Sequence, residues 1–263
     1  MNFYKKLIRN ILNRKIISVK DKILIVAGGQ KDMNAFLSFG FENVTISNLD
    51  PHKGFVNYEP YDWIRQDLEN LSIEDEEYDW VFVHAGLHHC ASPHIGLCEM
   101  LRVARKGVGV IESRDSLFNW LTNKLGLTTT YEIEPCILSG GKSGGLRNSH
   151  IPNYIYKWTE NEVKKTTNSY LPHHKHKFHF YYDLKVPIQR LSMSKNLLKK
   201  IAAQIGAMVL PVFVLLFKKQ GNLFGFVILK NIELQPWLTL KNGDIHFNMN
   251  YGHEKYNHKR YKE

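Results

Sequence analysis

The feature that most limits the fold is a set of short, nearly unbroken apolar runs, each closed by small or polar residues. They are KILIVAG (22–28), NVTISNLD (43–50), DWVFVHA (79–85) and VGVIES (108–113). A strand buried on both faces reads this way, because each side must meet a covering helix. Between the first two runs lies DMNAFLSFGF, which reads as a short helix ending at Gly40. Ser92 and Pro93 suit the N-cap and first turn of a helix running to Gly107, where glycine can take the C-cap. Strands alternating with helices predict an α/β fold: a Rossmann-like, doubly wound, mostly parallel sheet.

After Asp115 the pattern changes. LSGGKSGGLRN (138–148) reads as a mobile glycine-rich lid, and WTENEVKKTTNSYLP (158–172) as a helix with a Thr159–Glu162 capping box. KFHFYYDLKV alternates like a strand, and GNLFGFVILK (221–230) reads as a last one. The expected division is a basic amphipathic helix over 1–20, a ligand-binding core over 21–118, lid, substrate lobe and closing strands over 119–240, and a polar tail over 241–263.

Two segments raise the question of a membrane. In the first helix Phe3, Leu7, Ile8, Ile11 and Leu12 fall at helical spacing among Lys5, Lys6, Arg9, Arg14 and Lys15. It is expected to pack across the edge of the core, with membrane-surface contact as the alternative. IAAQIGAMVLPVFVLLF (201–217) sits between two lysine pairs and contains Pro211. A span needs about 20 apolar residues, so a buried helix ahead of a core strand is the simplest expectation. Peripheral contact with the inner face of the cell membrane is again the alternative.

Charge and cysteines narrow the class. Thirty-five basic against 25 acidic residues give a net charge of +10, which suits an anionic partner. No recognition helix, RNA-binding signature or zinc finger is present, so nucleic acid is not expected. Cys90, Cys98 and Cys136 form no C-x-x-C pair, which argues against a disulfide framework or structural zinc and favours a reducing, cytoplasmic setting. The first twenty residues do not read as a signal peptide. HHKHKFH (173–179) lacks acidic or thiol neighbours and reads as a solvated strand edge; no metal is expected.

In an open α/β sheet, ligands sit beyond the C-terminal ends of the strands. Ala27, Gly28 and Gly29 follow the first strand, and Asp50 follows the second about 20 residues on, where an acid can accept ribose hydroxyls. Asp67 lies in RQDLENL; His84, Ala85, His88 and His89 follow the third apolar run; Glu112, Ser113, Arg114 and Asp115 end the fourth. Five polar clusters at separate strand ends of one sheet are hard to attribute to scattered loop polarity.

The order LIVAGGQKD, ISNLD, RQDLENL, DWVFVHAGLHHCASP, LRVARKGVGVIESRD resembles the class I S-adenosylmethionine-dependent methyltransferases over residues 22–115. NYIYKWTENEVKKTTNSYLP and GNLFGFVILK resemble a subgroup encoded among bacterial surface-polysaccharide genes. The resemblance implies a seven-stranded sheet with antiparallel strands at one end, and S-adenosyl-L-methionine as cofactor. It implies Ala27, Gly28 and Gly29 beside the methionine part, Asp50 on the ribose, Asp67 and Leu68 on the adenine, and His84 and Ala85 on the carboxylate and sulfonium side. The first loop, Ala27-Gly28-Gly29-Gln30, departs from the family's acidic residue and G-x-G. A nicotinamide oxidoreductase fits less well, since Met33 stands where G-x-G-x-x-G needs its third glycine.

A hydroxyl nucleophile benefits from losing its proton as it attacks, and a neutral histidine can accept it. His88 is the preferred base and His89 the preferred helix cap, with cofactor positioning open for either. Arg114, Arg147 and Lys142 are candidates for an anionic pocket. His150, Tyr154 and Trp158 are candidates for a stacking wall against a sugar, or for packing the lid. The expected reaction is O-methylation of a sugar in a bacterial surface glycan or its lipid-linked precursor. Alternatives are a small molecule or quinone-like acceptor, or a non-catalytic, membrane-associated cofactor-binding module.

Overall fold

The computed structural model describes residues 2–124, 126, 128–184 and 197–251. The first half alternates α1 (Phe3–Asn13), β1 (Ile23–Val26), α2 (Gln30–Leu37), β2 (Val44–Asn48), β3 (Asp62–Arg65) and β4 (Tyr78–His84). Then come α3 (Pro93–Val103), β5 (Ala104–Arg114), α4 (Leu117–Lys124), β6 (Tyr131–Glu132), α5 (Glu134–Leu138), β7 (Asn153–Tyr154) and β8 (Lys157–Trp158). The chain continues through α6 (Glu160–Tyr170), β9 (His174–Asp183), α7 (Leu197–Leu216), β10 (Leu223–Leu234), β11 (Leu238–Lys241) and β12 (Asp244–Phe247).

Seven strands form one path in the order β3-β2-β1-β4-β5-β10-β9, and short β8 pairs with β5. The first five run parallel; β10 is antiparallel to both β5 and β9. The expected Rossmann-like sheet with antiparallel strands at one end is therefore the fold. One face carries α3 and α6, with Leu97, Met100, Leu101, Trp158 and Val163 packed on Val81, Val83, Val108 and Phe226. The other carries α1 and α2, with Leu7, Ile8, Ile11 and Phe36 on Ile23, Ile25, Trp80 and Phe82. Both sides of β1 and β4 are filled, which is why their sequences are apolar throughout rather than alternating.

Four expectations are corrected. The helix expected to run to Gly107 ends at Val103, and Gly107 lies in β5. It is needed there for close approach: a Cβ at Gly107 would sit 2.0 Å from the Ile228 carbonyl of β10. DWIR, not singled out as a strand in the sequence, forms the sheet edge β3. The tail expected from 241 begins inside the β11–β12 hairpin, and residues 252–263 lie outside the described residues. Finally, α7 is not buried: Met208 is 77% and Leu216 71% exposed. By contrast α1 packs on the core, the Thr159–Glu162 capping box opens α6, and β9 with its histidines is the far edge strand.

Candidate active site

At the ends of β1 and β4 the chain turns through Ala27 and Ala85, both with left-handed φ, +50° and +55°. Residues other than glycine are rarely held there, and such strain gathers where a turn must serve a ligand. The two turns nearly touch: a Cβ at Gly86 would lie 2.6 Å from the Ala27 Cβ. Together they floor a cavity of about 460 Å³, within the usual range for a small-molecule site. Its walls bring together Ala27, Asp50, Asp67, Leu68, Ala85, His89 and Arg147 from five separate segments. Asn48, Gln66, Glu69 and Cys90 also line it and were not read from the sequence. Burial raises the Cys90 thiol pKa, reinforced by Glu69, so it is not a ready nucleophile.

The roof is the glycine-rich segment, which places Pro135, Leu138, Ser143, Gly144 and Arg147 over the cavity. It is internally bonded: the Ser139 hydroxyl donates to the Ser143 carbonyl at 2.6 Å. Arg147 ties it to the wall, 2.8 Å from Asp67 and 3.5 Å from Glu69. Glu69 in turn accepts from the amides of Ala91 and Ser92 at the start of α3. Arg147 is half exposed, so its bridges are worth no more than about 1 kcal/mol to the fold. Arg147→Ala is thus expected to leave Tm within about 4 °C of the parent, while loosening the roof and speeding cofactor release in stopped-flow fluorescence.

The histidines divide the roles differently from the sequence expectation. His88 is 7% exposed, with Nδ1 2.6 Å from Glu112 and Nε2 3.1 Å from Glu132. Burial alone would lower its pKa, but Glu112 and then Glu132 outweigh that and raise it to about 10. An imidazolium with a carboxylate on each nitrogen has no lone pair to offer, so His88 is not the base. Its partner Glu132 is held well below the usual carboxylate range by the hydrogen bonds from His88 and His89. Glu112 also accepts from the Leu87 amide at 2.7 Å, so this one carboxylate fixes both the turn and the ring.

His89 faces the cavity. Its Nε2 lies 3.3 Å from the same Glu132 oxygen that serves His88, and its Nδ1 lies 3.4 Å from the Gly145 carbonyl. Both ring nitrogens thus face acceptors as folded, and Nδ1, held only by the longer carbonyl contact, is the one that an entering group can displace. His89 caps nothing; the N-cap of α3 is Ser92. Ligand atoms of His88, His89 and Glu132 lie within 4.8 Å of one another, a spacing open to a metal ion. As folded they form an ion-pair chain.

Other expected residues stand elsewhere. Gly28 and Gly29 do not line the cavity; the Gly28 amide donates to the Ser47 carbonyl at 2.8 Å and the Gly29 amide to Asp32 at 2.9 Å. His84 points to the α1 side, 3.4 Å from Asp32 and tilted against the Tyr4 ring with centroids 4.6 Å apart. Arg114 is buried, bonded to Glu160 at 2.8 Å and set over Tyr182 and Phe224, so its charge is spent within the fold. Trp158 is fully buried in the core. Tyr154 is half exposed and meets Tyr131 edge-on at 5.5 Å; His150 is exposed on the same segment. Glu132 was missed altogether: its strand is two residues long and carries no periodicity.

The cavity fits the cofactor that the resemblance implies. Asp50 Oδ1 accepts the His52 amide at 3.0 Å, which holds the carboxylate at the end of β2 where ribose hydroxyls can donate to it. Asp67 and Leu68 offer one polar and one apolar neighbour farther along the wall, and acids around the cleft suit a ligand bearing a sulfonium.

Comparison with known proteins agrees. A family model described as a methyltransferase domain matches residues 33–111. No curated protein matches the sequence. Among solved structures, a complex of the Haloferax volcanii Trm112 methyltransferase activator with a proposed methyltransferase is similar at 12% identity, covering 86% of this chain and 92% of that one, TM-score 0.50. A SAM-dependent methyltransferase of Archaeoglobus fulgidus gives 10% identity, 86% and 93% coverage, and TM-score 0.48. One from Mesorhizobium loti gives 10%, 82% and 95%, and 0.48. The first of these supports the fold; the matched domain supports the chemistry. A methyltransferase domain over residues 33–111 on a Rossmann-like sheet supports S-adenosylmethionine-dependent methyl transfer as the chemistry of this chain.

Proposed function

We propose that this enzyme O-methylates a polar acceptor, a sugar of a bacterial surface glycan or of its lipid-linked precursor. The observation that carries the O-methylation is the position of His89: on the cavity wall next to the Ala85–Gly86 turn, with Nε2 oriented by Glu132. Bound S-adenosylmethionine supplies an electrophilic methyl group. Asp50 holds the ribose, Asp67 and Leu68 flank the adenine, and Ala27 and Ala85 border the methionine part. His89 Nδ1 takes the proton from the acceptor hydroxyl, which replaces the long contact to the Gly145 carbonyl as it enters. Alignment by the cavity provides the remaining advantage.

The sugar rests on two supports besides the resemblance. Tyr131 and Tyr154 stand half exposed, one register position from Glu132 and Asn153, and Asn153 donates to the His88 carbonyl at 3.1 Å. An aromatic pair beside the reacting edge, with His150 near it, suits the apolar face of a sugar ring. The excess positive charge suits an anionic acceptor.

Calorimetric titration tests the cofactor site, with S-adenosylmethionine, S-adenosylhomocysteine and, as control, NAD. Asp50→Ala is expected to weaken the first two by about 10- to 100-fold, as for loss of a charged hydrogen-bonding partner. Equal binding by the variant would remove Asp50 from the site. Transfer of labelled methyl into glycan or lipid-linked fractions then tests the acceptor. Cofactor binding with no transfer to any such fraction would favour a small-molecule acceptor or a non-catalytic module.

A further inference from the structure

The sheet topology gathers two exposed apolar helices at the edge that carries the active site. β9 ends at Asp183 opposite Leu223, and Leu223 opens β10 opposite Ser113 near the end of β5. β9 therefore ends and β10 begins at the edge where β1, β4 and β5 present their C-terminal ends, and α7 leads into β10 there. α4 starts from the same edge, three residues after β5. The short 3-10 turn Lys218–Gln220 joins them: the Leu117 amide donates to Gln220 at 3.1 Å, and Arg114 donates to the Lys219 carbonyl.

On α7, Ile201, Ile205, Met208, Val212 and Leu216 are all exposed and fall at i, i+4, i+7, i+11 and i+15, one continuous stripe. Leu117, 68% exposed, and Trp120 continue the apolar surface on α4. Soluble surfaces rarely leave so many large apolar side chains together without a partner. Segment 197–220 contains no Asp or Glu and four lysines, two near each end. Lys200, Lys218 and Lys219 are exposed, and Lys124 lies over the Trp120 ring at 5.0 Å. Among the described residues no helix is long and apolar enough to cross a membrane. Apolar stripe and lysine rim together match a surface that is apolar beneath and anionic on top. A second copy matches less well, since a twofold antiparallel pairing of α7 would set lysines against lysines.

We propose that the α7–α4 face seats on an anionic bilayer surface, so that the cofactor edge opens toward an acceptor held on lipid. The docking stands on these observations alone; the lipid-held acceptor rests on the function proposed above. Seated this way, α7 lies along the leaflet with its stripe among the acyl chains and its lysines at the headgroups. A glycan on a lipid carrier would then reach the catalytic edge without leaving the membrane.

Flotation with vesicles tests the docking, without acceptor present. The full chain is expected to bind phosphatidylglycerol–phosphatidylcholine vesicles about 100-fold more tightly than phosphatidylcholine alone, the effect of about three lysines at an anionic surface. Met208→Asp with Val212→Asp is expected to weaken that binding about tenfold or more, with calorimetric S-adenosylmethionine affinity unchanged. Retained cofactor binding shows that the variant folds and keeps the methyltransferase reading apart from this one. No flotation of the parent chain would overturn the proposal. So would a self-association in sedimentation velocity that the same aspartates abolish, which would make the face a contact between copies.

Discussion

Replacing His88 by leucine is expected to cost about 3–5 kcal/mol of folding stability, the usual result of stripping one partner from a buried ion pair. The substitution removes the cation between Glu112, whose side chain is wholly buried, and Glu132. Glu112 would keep only the Leu87 amide as a partner. The turn then holds the Glu132 strand through the half-buried His89 contact and the Asn153 bond to the residue-88 carbonyl, so activity should fall with stability. Urea unfolding measures the first. A loss below about 1 kcal/mol, typical of exposed pairs, would mean that His88 is not charged in the fold. The pH dependence gives a second readout with a fixed sign. Because the folded pKa is raised to about 10 from an unfolded value near 6.5, the stabilisation is complete below 6.5 and is lost as pH rises through 10. Glu132 acts oppositely: its lowered pKa makes its contribution full above the ordinary glutamate range and lost on acidification. The alkaline decline due to His88 should be absent from the leucine variant.

His89→Gln is expected to lower the methyl-transfer rate by about 10²–10⁴, the range for losing a general base. Glutamine retains a donor toward Glu132, so the wall of the cavity should persist and calorimetric cofactor affinity should change little. A rate loss under tenfold would show that His89 only shapes the site. His88→Leu and His89→Gln therefore separate cleanly: the first is read in stability and its pH dependence, the second in rate at constant stability.

These two adjacent histidines show how far the sequence could be read. LHHC after a buried strand located both imidazoles at the catalytic edge, and strand periodicity was enough for that. Which one is free depended on Glu132, which is 43 residues beyond His89 in the chain and on a two-residue strand. Likewise Asp50, Asp67, Ala27 and Ala85 line the cavity, because each follows directly from the end of a strand or the loop beyond it. Gly28 and Gly29 do not line it, and their amides donate to Ser47 and Asp32.

The sequence by itself determined the layered sheet, its helices and the edge at which the polar clusters gather. Those follow from local periodicity and from strand ends, and both are written within a few neighbouring residues. The tertiary structure alone decided which polar groups remain available. Arg114 carries a charge wherever it sits, yet Glu160, Tyr182 and Phe224 close around it. The α7 segment is equally apolar whether buried or exposed, and only its emergence at the catalytic edge left Met208 and Leu216 uncovered. Charge pairing and burial are settled between residues far apart in the chain, so no local pattern can announce them.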